Sequence, residues 1–131
     1  MKIPTENELD RIRRDYPVGT IIELIEMSDK FAPPSGTVGE VEGVDDMGDI
    51  LVRWETGSSL KVILSEDRIR KVDGVITVCY GQREYWKSWD KAAAHFFEAM
   101  NSTEGSEQSR YAKVYISLIL GDKVCTDSDE K

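Results

Sequence analysis

Cysteine, histidine and long apolar runs are scarce in this sequence of 131 residues. The two cysteines, Cys79 and Cys125, are too few for a disulfide framework and lack the CxxC spacing of zinc and redox sites. Two buried free thiols are the expected state in a reducing compartment, and a bridge between them is the alternative. No apolar run is long enough to cross a bilayer, and the first residues, MKIPTENELDRIRR, lack the apolar centre of a signal peptide. These absences predict a cytoplasmic protein.

Catalytic side chains in a recognisable arrangement are also missing. The one histidine, His95, stands beside Phe96 and Phe97 in a helical pattern, where a place on the flank of the helix is expected. A pair of Cys79 and His95 would have no orienting acid and no oxyanion donors at readable spacing, and catalysis of the common kinds needs such partners. We therefore predict that the protein is not an enzyme, uses no cofactor and has no small-molecule substrate.

The charge of the chain is acidic and uneven. There are 17 basic and 25 acidic side chains, which give a net charge of −8. Residues 1–73 hold 10 basic and 16 acidic groups (net −6), whereas residues 74–131 hold 7 and 9 (net −2). Such a chain is repelled by phosphate on average, so a protein partner with a basic surface is favoured over nucleic acid, and no membrane partner is expected.

The first half of the sequence predicts one helix followed by short strands. Thr5 and Glu8 have the spacing of a capping box, and the helical pattern that follows stops before Pro17. From residue 20 to residue 72, short alternating runs are separated by glycine and aspartate turns, which is typical of a small β-barrel. Five strands are expected in it.

The clearest part of this pattern is the stretch 36–64. Gly43 is expected at a β-bulge, because the alternation of the run 38–44 goes out of phase there, and Gly48 is expected to end a tight turn. The residues of the next run that should face the core are Ile50, Val52 and Trp54. A further strand is expected from residue 60 to residue 64.

The second half, residues 74–131, predicts a β-hairpin followed by two antiparallel helices. A strand over 75–80 turns at Gly81-Gln82, and apolar stripes at helical spacing follow on both sides of a break at 101–106. A short edge strand is expected near Cys125, and the tail from residue 126 is expected to fray. The predicted class is α+β: an N-terminal helix and an SH3-like five-stranded β-barrel over 1–73, and a ββαα unit over 74–131.

Several spaced motifs between residues 9 and 73 carry a resemblance to a known family. They are Pro17-Val18-Gly19-Thr20, Pro33-Pro34, Gly36-Thr37, Val44-Asp45-Asp46 and Val52-Arg53-Trp54. With these motifs the stretch resembles an uncharacterised family of SH3-like barrel domains that plasmids, conjugative elements and phages of Gram-positive bacteria carry. The segments CYGQREYW and KVCTD resemble the C-terminal halves of proteins from the same elements. The resemblance implies a fold and a genetic neighbourhood, and it transfers no functional residue.

The predicted binding surface is a set of acidic and apolar residues at the loop ends of the barrel, the acidic loop surface. Its members are Asp29, Phe31, Asp45, Asp46, Met47 and Asp49. Barrels of this kind commonly bind through their loop ends, and negative charge around exposed apolar groups suits a basic protein. As a metal site the cluster lacks the spacing of an EF-hand loop, and turn-forming aspartates explain the same residues. The partner expected from this surface is a protein, such as a host nuclease.

A nucleic-acid surface is the alternative. Its cations would be Arg11, Arg13, Arg14, Arg68, Arg70 and Lys71. The sequence therefore leaves two hypotheses. One is a non-enzymatic protein of a mobile element that inhibits a host defence nuclease, in the manner of anti-CRISPR or antirestriction proteins. The other is a nucleic-acid-binding accessory factor in the transfer or transcription of the element.

Overall fold

The computed structural model of the chain describes residues 3–128, and these fall into two compact units that divide between Val72 and Asp73. The elements of the first unit are α1 (Glu6–Asp15), β1 (Ile21–Glu26), β2 (Val38–Val44), β3 (Ile50–Trp54) and β4 (Arg68–Lys71). Those of the second unit are β5 (Val75–Cys79), β6 (Gln82–Trp86), α2 (Trp89–Asn101), α3 (Gly105–Ile119) and β7 (Val124–Thr126). The predicted α+β class is confirmed for this part of the chain.

The strands of the first unit form one antiparallel sheet in the order β3-β2-β1-β4. In this sheet Ile22 of β1 lies opposite Gly39 on one side and Lys71 on the other. The register between β2 and β3 shifts between Val41 and Gly43, so one extra residue lies there and the predicted bulge is confirmed. Gly43 does not have a positive φ, and the bulge therefore does not depend on the conformational freedom of glycine.

The segment after β3 does not close this sheet into a five-stranded barrel within residues 3–128. It meets β3 at a single bridge, in which Val62 and Ile50 exchange two backbone hydrogen bonds of 2.9 Å. The C=O of Leu60, two residues before Val62, accepts from the Trp54 indole. An antiparallel ladder would need that C=O for its next hydrogen bond to β3, because the bonded groups recur at every second residue, so pairing does not continue in this direction.

The core of the first unit is packed around Trp54. Its buried members are Ile22, Leu24, Val41, Ile50, Val52, Trp54 and Val62. The predicted inward face of β3 is thus confirmed. Gly39 lies opposite Trp54 in the sheet, and a Cβ atom on it would come within 2.5 Å of Val52 and 2.7 Å of the indole ring. Glycine is therefore required at this position by close packing.

Helix α1 begins at the predicted capping box, which is confirmed by reciprocal hydrogen bonds between Thr5 and Glu8. The helix packs on the turn before β3, where Gly48 has a φ of +83° and a Cβ atom would lie 3.2 Å from Ile12. No residue of α1 is fully buried. Part of its apolar stripe therefore remains open to solvent.

The second unit is a three-stranded sheet, in the order β6-β5-β7, with two helices. The hairpin turns at Tyr80 and Gly81, one residue earlier than predicted, and both have the positive φ that a tight two-residue turn requires. The short strand β7 runs parallel to β5. Order continues past its end, because the N–H of Asp127 donates to the C=O of Val78 and the carboxylate of Asp127 accepts the N–H of Tyr80. Of the tail expected to fray from residue 126, residues 129–131 lie outside the described part of the chain.

The core of the second unit contains Val75, Ala92, Phe96, Val114, Leu118 and Cys125. The indole of Trp89 joins the two helices by donating to the C=O of Leu118 at 3.0 Å. Both cysteines are free thiols, and burial raises the pKa of each. The parallel register places Cys125 opposite Thr77, so Cys79 lies two residues further along β5 and is not opposite Cys125.

Candidate functional site

The turn before β3 is held by one carboxylate. Asp45 accepts the backbone N–H groups of Met47 and Asp49, both at 3.0 Å, and the ammonium group of Lys61 at 3.1 Å. Lys61 also reaches the carboxylate of Asp49 at 3.4 Å. Two of the predicted surface aspartates are therefore committed to the turn, and a cation of the chain itself neutralises part of their charge.

These contacts shift the titration of the groups involved. Burial alone would raise the pKa of Asp45, but the hydrogen bonds from the Asp49 N–H, the Lys61 ammonium and the Met47 N–H outweigh it and lower the pKa. The hydrogen bond to Asp45 raises the pKa of Lys61. Both groups are thus held in their charged forms, as a structural ion pair requires.

The outer residues of the same turn face solvent. The side chain of Asp46 is fully exposed, although one of its oxygens lies 3.4 Å from Arg13. Arg13 also donates to the backbone C=O of Val44, so this cation anchors α1 to the turn. Met47 is 39% exposed. The turn therefore presents one charged and one apolar side chain outward.

Beside this turn lies a groove of about 460 Å³, here called the α1 groove. Its lining residues are Pro4, Glu8, Ile12, Met47, Gly48, Asp49, Ile63, Leu64, Ser65 and Glu66. One wall is the open stripe of α1, and the other is the turn that leads into β4. Its floor is apolar, three carboxylates border it, and no lysine or arginine among residues 3–128 lines it. The volume is within the range of ligand-binding clefts.

A smaller hollow of about 210 Å³ adjoins the groove, since Ile63 and Glu66 line both. Asp29 and Lys61 contribute to its wall. Asp29 itself closes a local turn by accepting the N–H of Phe31 at 2.7 Å. The ring of Phe31 is 73% exposed, with the ammonium group of a neighbouring lysine 5.0 Å from its centroid.

The six residues of the predicted acidic loop surface thus have different positions. Met47 and Asp49 line the α1 groove, and Asp29 lines the adjoining hollow. Asp45 supports the turn from beneath, whereas Phe31 and Asp46 are exposed and line neither depression.

Half of the cations of the predicted nucleic-acid surface are engaged within the chain. Arg13 pairs with Asp46, Arg70 binds the carboxylate of Glu23 at 2.6 Å, and the Lys71 ammonium lies 4.9 Å from the ring centroid of Tyr16. The remaining three, Arg11, Arg14 and Arg68, are exposed and make no ion pair with any of residues 3–128. Three unpaired cations are a small footprint for phosphate binding.

Three residues of this surface were missed by reasoning from sequence. Lys61 neutralises the turn, while Leu64 and Glu66 form the wall of the groove. Lys61 is separated from Asp45 by 16 positions, and no local pattern links them. Leu64 could not be identified from sequence either, because the alternation that includes Leu60 and Val62 predicts it to be buried, whereas it is 39% exposed.

The second unit has its own charged cluster. Asp127 accepts the N–H of Tyr80 and the guanidinium of Arg110, each at 2.8 Å, and Arg110 stacks 4.5 Å from the ring centroid of Tyr80. Burial would raise the pKa of Asp127, but the two hydrogen bonds lower it. The small depression beside it is lined by Arg110, Lys113 and two serines of α3. Every charge that defines this cluster has a partner in the chain.

No three His, Cys, Asp or Glu side chains among the described residues converge on a point that could hold a metal ion. His95 is exposed on α2 and contacts the rings of Trp86 and Phe96. A search for helices that are long and apolar enough to span a membrane finds none in residues 3–128.

Comparison with known proteins connects the first unit to a family. The model of a family described as a domain of unknown function, DUF4314, matches residues 5–72. A search of curated proteins finds no match to the chain. The matched stretch ends with the first unit and includes the α1 groove, apart from Pro4 at its edge.

Proposed function

The chain belongs to the DUF4314 family of domains of unknown function through residues 5–72, and from this premise we propose that it is a non-enzymatic binding protein that acts by contact with a protein partner. The observation that carries the proposal is the α1 groove, an apolar depression bordered by carboxylates and lined by no cation of the described part of the chain. A groove of this kind suits a protein surface that presents apolar and basic side chains together.

The partner in this proposal has a basic surface. The net charge of −8, of which −6 belongs to residues 1–73, attracts cationic proteins over a distance and accelerates their association. A nuclease must have a basic surface to hold nucleic acid. The resemblance of both halves of the sequence to proteins of mobile elements supports the narrower form of the proposal. In that form the protein inhibits a host defence nuclease by covering its basic surface, as anti-CRISPR or antirestriction proteins do.

The fold of the first unit fits this proposal as an opened SH3-like barrel. If the residue bridged to β3 is counted as the remnant of a strand, the order becomes Val62-β3-β2-β1-β4, with the last strand beside the first. In an SH3-like barrel, strands that follow one another in sequence are expected to be neighbours in the sheet, and the last strand is expected to return to the side of the first. The α1 groove would then lie between the N-terminal helix and the turn before the last strand.

The experiment that tests the proposal compares protein capture with DNA binding. Tagged protein is incubated with lysate of the bacterial host, and the captured proteins are identified by mass spectrometry and tested for nuclease activity. We expect a basic nuclease whose capture is lost in Asp46→Lys/Glu66→Lys. The matched control, Glu84→Lys/Glu98→Lys, makes the same change of net charge on exposed residues of the second unit.

A gel-shift assay with a short DNA duplex is the counterpart. On the proposal, the protein does not shift the duplex at about 50 mM or about 200 mM salt. Submicromolar binding that weakens steeply between these salt concentrations would contradict it and favour the nucleic-acid-binding accessory factor.

A further inference from the structure

The shape and charge of the α1 groove also indicate what kind of segment would occupy it. We propose that the groove takes one large apolar side chain from a partner segment in which that side chain is flanked by lysine or arginine. This inference rests on the proposed function, because it names the part of the partner that the first unit recognises.

The apolar requirement follows from the walls. Ile12 and Pro4 of the α1 side face Met47, Ile63 and Leu64 across the depression. Met47 and Leu64 are each 39% exposed, so the groove leaves apolar surface in contact with water. Burying that surface beneath an inserted side chain is favourable, and a volume of about 460 Å³ leaves room for one large anchor with part of the adjacent backbone.

The basic requirement follows from the border. Glu8, Asp49 and Glu66 stand around the apolar floor. The carboxylate of Asp49 forms an ion pair with Lys61. The carboxylate of Glu66, in contrast, makes no hydrogen bond or ion pair with any described residue. Glu66 also lines the adjoining hollow, so it lies between the two depressions. It is therefore the carboxylate best placed to receive a lysine or arginine next to the anchor.

Charge excludes the other simple occupants. A second copy of this chain would bring a net charge of −8 to a border that is already negative. The phosphates of a nucleic acid would be repelled by the same three carboxylates. A neutral apolar ligand would fill the floor but would leave the Glu66 carboxylate without a partner. A segment that carries an anchor and flanking cations satisfies both parts of the groove.

The experiment uses three fluorescein-labelled peptides, KKLFKK, KKSSKK and EELFEE, and measures their binding to the full chain by fluorescence anisotropy. KKLFKK is expected to bind about tenfold more tightly than KKSSKK, which is the value of burying one large apolar side chain. EELFEE is expected not to bind.

Substitutions in the chain test whether the peptide binds in the α1 groove. Leu64→Ser should weaken KKLFKK about tenfold, whereas Leu51→Ser, which changes a leucine of nearly equal exposure (37%) on β3, should not. Glu66→Gln should weaken it about fivefold and Glu98→Gln should have no effect. Met47→Gln, in the turn before β3, provides a second apolar variant if circular dichroism shows that Leu64→Ser disturbs the fold.

Equal binding of KKLFKK and KKSSKK, or equal loss in Leu64→Ser and Leu51→Ser, would overturn the inference. Capture of a basic nuclease, with its loss in the charge-reversal variant, would leave the proposed function standing in that case. Failure of the capture experiment together with specific binding of KKLFKK would contradict capture of a nuclease and leave the inference about the groove standing.

Discussion

In each of the two units, one aspartate holds a turn by accepting hydrogen bonds from the backbone and from a basic side chain. The exposure and the charge balance of this aspartate differ between the units. In the first, Asp45 accepts two backbone N–H groups and the ammonium of Lys61. In the second, Asp127 accepts one backbone N–H and the guanidinium of Arg110. Asp127 is 7% exposed and is balanced by one cation, whereas Asp45 is 27% exposed and shares its cation with another aspartate.

This difference distinguishes carboxylates that are balanced within the fold from carboxylates that could still bind a basic partner. In the second unit the cluster is neutral within itself. In the first, one lysine serves two carboxylates, and Glu66 adds further negative charge beside an apolar groove. The first unit therefore combines an open apolar groove with carboxylates that its own cations do not fully balance.

The largest expected effect concerns the tryptophans that anchor the two cores. Trp54 is buried and donates to a backbone C=O in the first unit, and Trp89 does so in the second but is partly exposed. Trp54→Ala should lower the free energy of unfolding by about 3–5 kcal/mol. Trp89→Ala should cost less, because less surface is lost. Urea unfolding with residue-level hydrogen exchange measures both, and an equal or larger loss for Trp89→Ala would break the comparison.

The second largest effect is expected for the two aspartates that hold the turns. Asp127→Asn and Asp45→Asn each weaken hydrogen bonds from charged and backbone donors, at a cost of about 1–3 kcal/mol. The cost should be greater for Asp127, because its side chain is less exposed. Urea unfolding of the two variants tests the order, with Asp46→Asn as the control at a fully exposed carboxylate. A larger loss for Asp45→Asn would reverse the comparison.

Acid should destabilise both turns. The pKa of Asp45 and the pKa of Asp127 are lowered in the folded protein, so their stabilising contribution is present above the unfolded pKa, about 3.9, and is lost as the pH falls through the folded pKa. The urea midpoint should therefore decrease below about pH 4. The decrease should be smaller in Asp45→Asn/Asp127→Asn. An unchanged acid dependence in that double variant would assign it to other groups.

The smallest expected effect concerns the cation of each pair. Lys61→Met releases the carboxylates of Asp45 and Asp49 and makes the border of the α1 groove more negative. We expect it to strengthen binding of KKLFKK about two- to threefold, the usual size of an exposed charge interaction. Arg110→Met makes the same change of charge in the second unit and should leave this binding unchanged. Equal effects of the two variants, measured by anisotropy, would mean that net charge alone attracts the peptide.

Local signals predicted much of the fold. The capping box of α1, the turn at Gly48 and the inward face of β3 depend on residues a few positions apart, and all three are confirmed. The strand expected over 60–64 is reduced to one bridge at Val62, and the Trp54 indole takes the C=O of Leu60 that the ladder would need next. Competition of that kind cannot be read from alternation.

The candidate site was predicted only in part for the same reason. Asp45, Asp46 and Asp49 are adjacent in sequence, so their cluster was visible, but the partner of Asp45 and Asp49 is Lys61. The groove itself brings Ile12 together with Leu64, and such long-range contacts become apparent only in the folded chain.

We propose that the α1 groove of the first unit is the surface that binds a partner. The most direct test is titration of the isotope-labelled chain with KKLFKK, in which the backbone amide shifts are followed by two-dimensional NMR. We expect the largest shifts at Glu8, Ile12, Met47–Asp49 and Ile63–Glu66. Largest shifts around Tyr80, Arg110 and Asp127, or small shifts spread over both units, would contradict it.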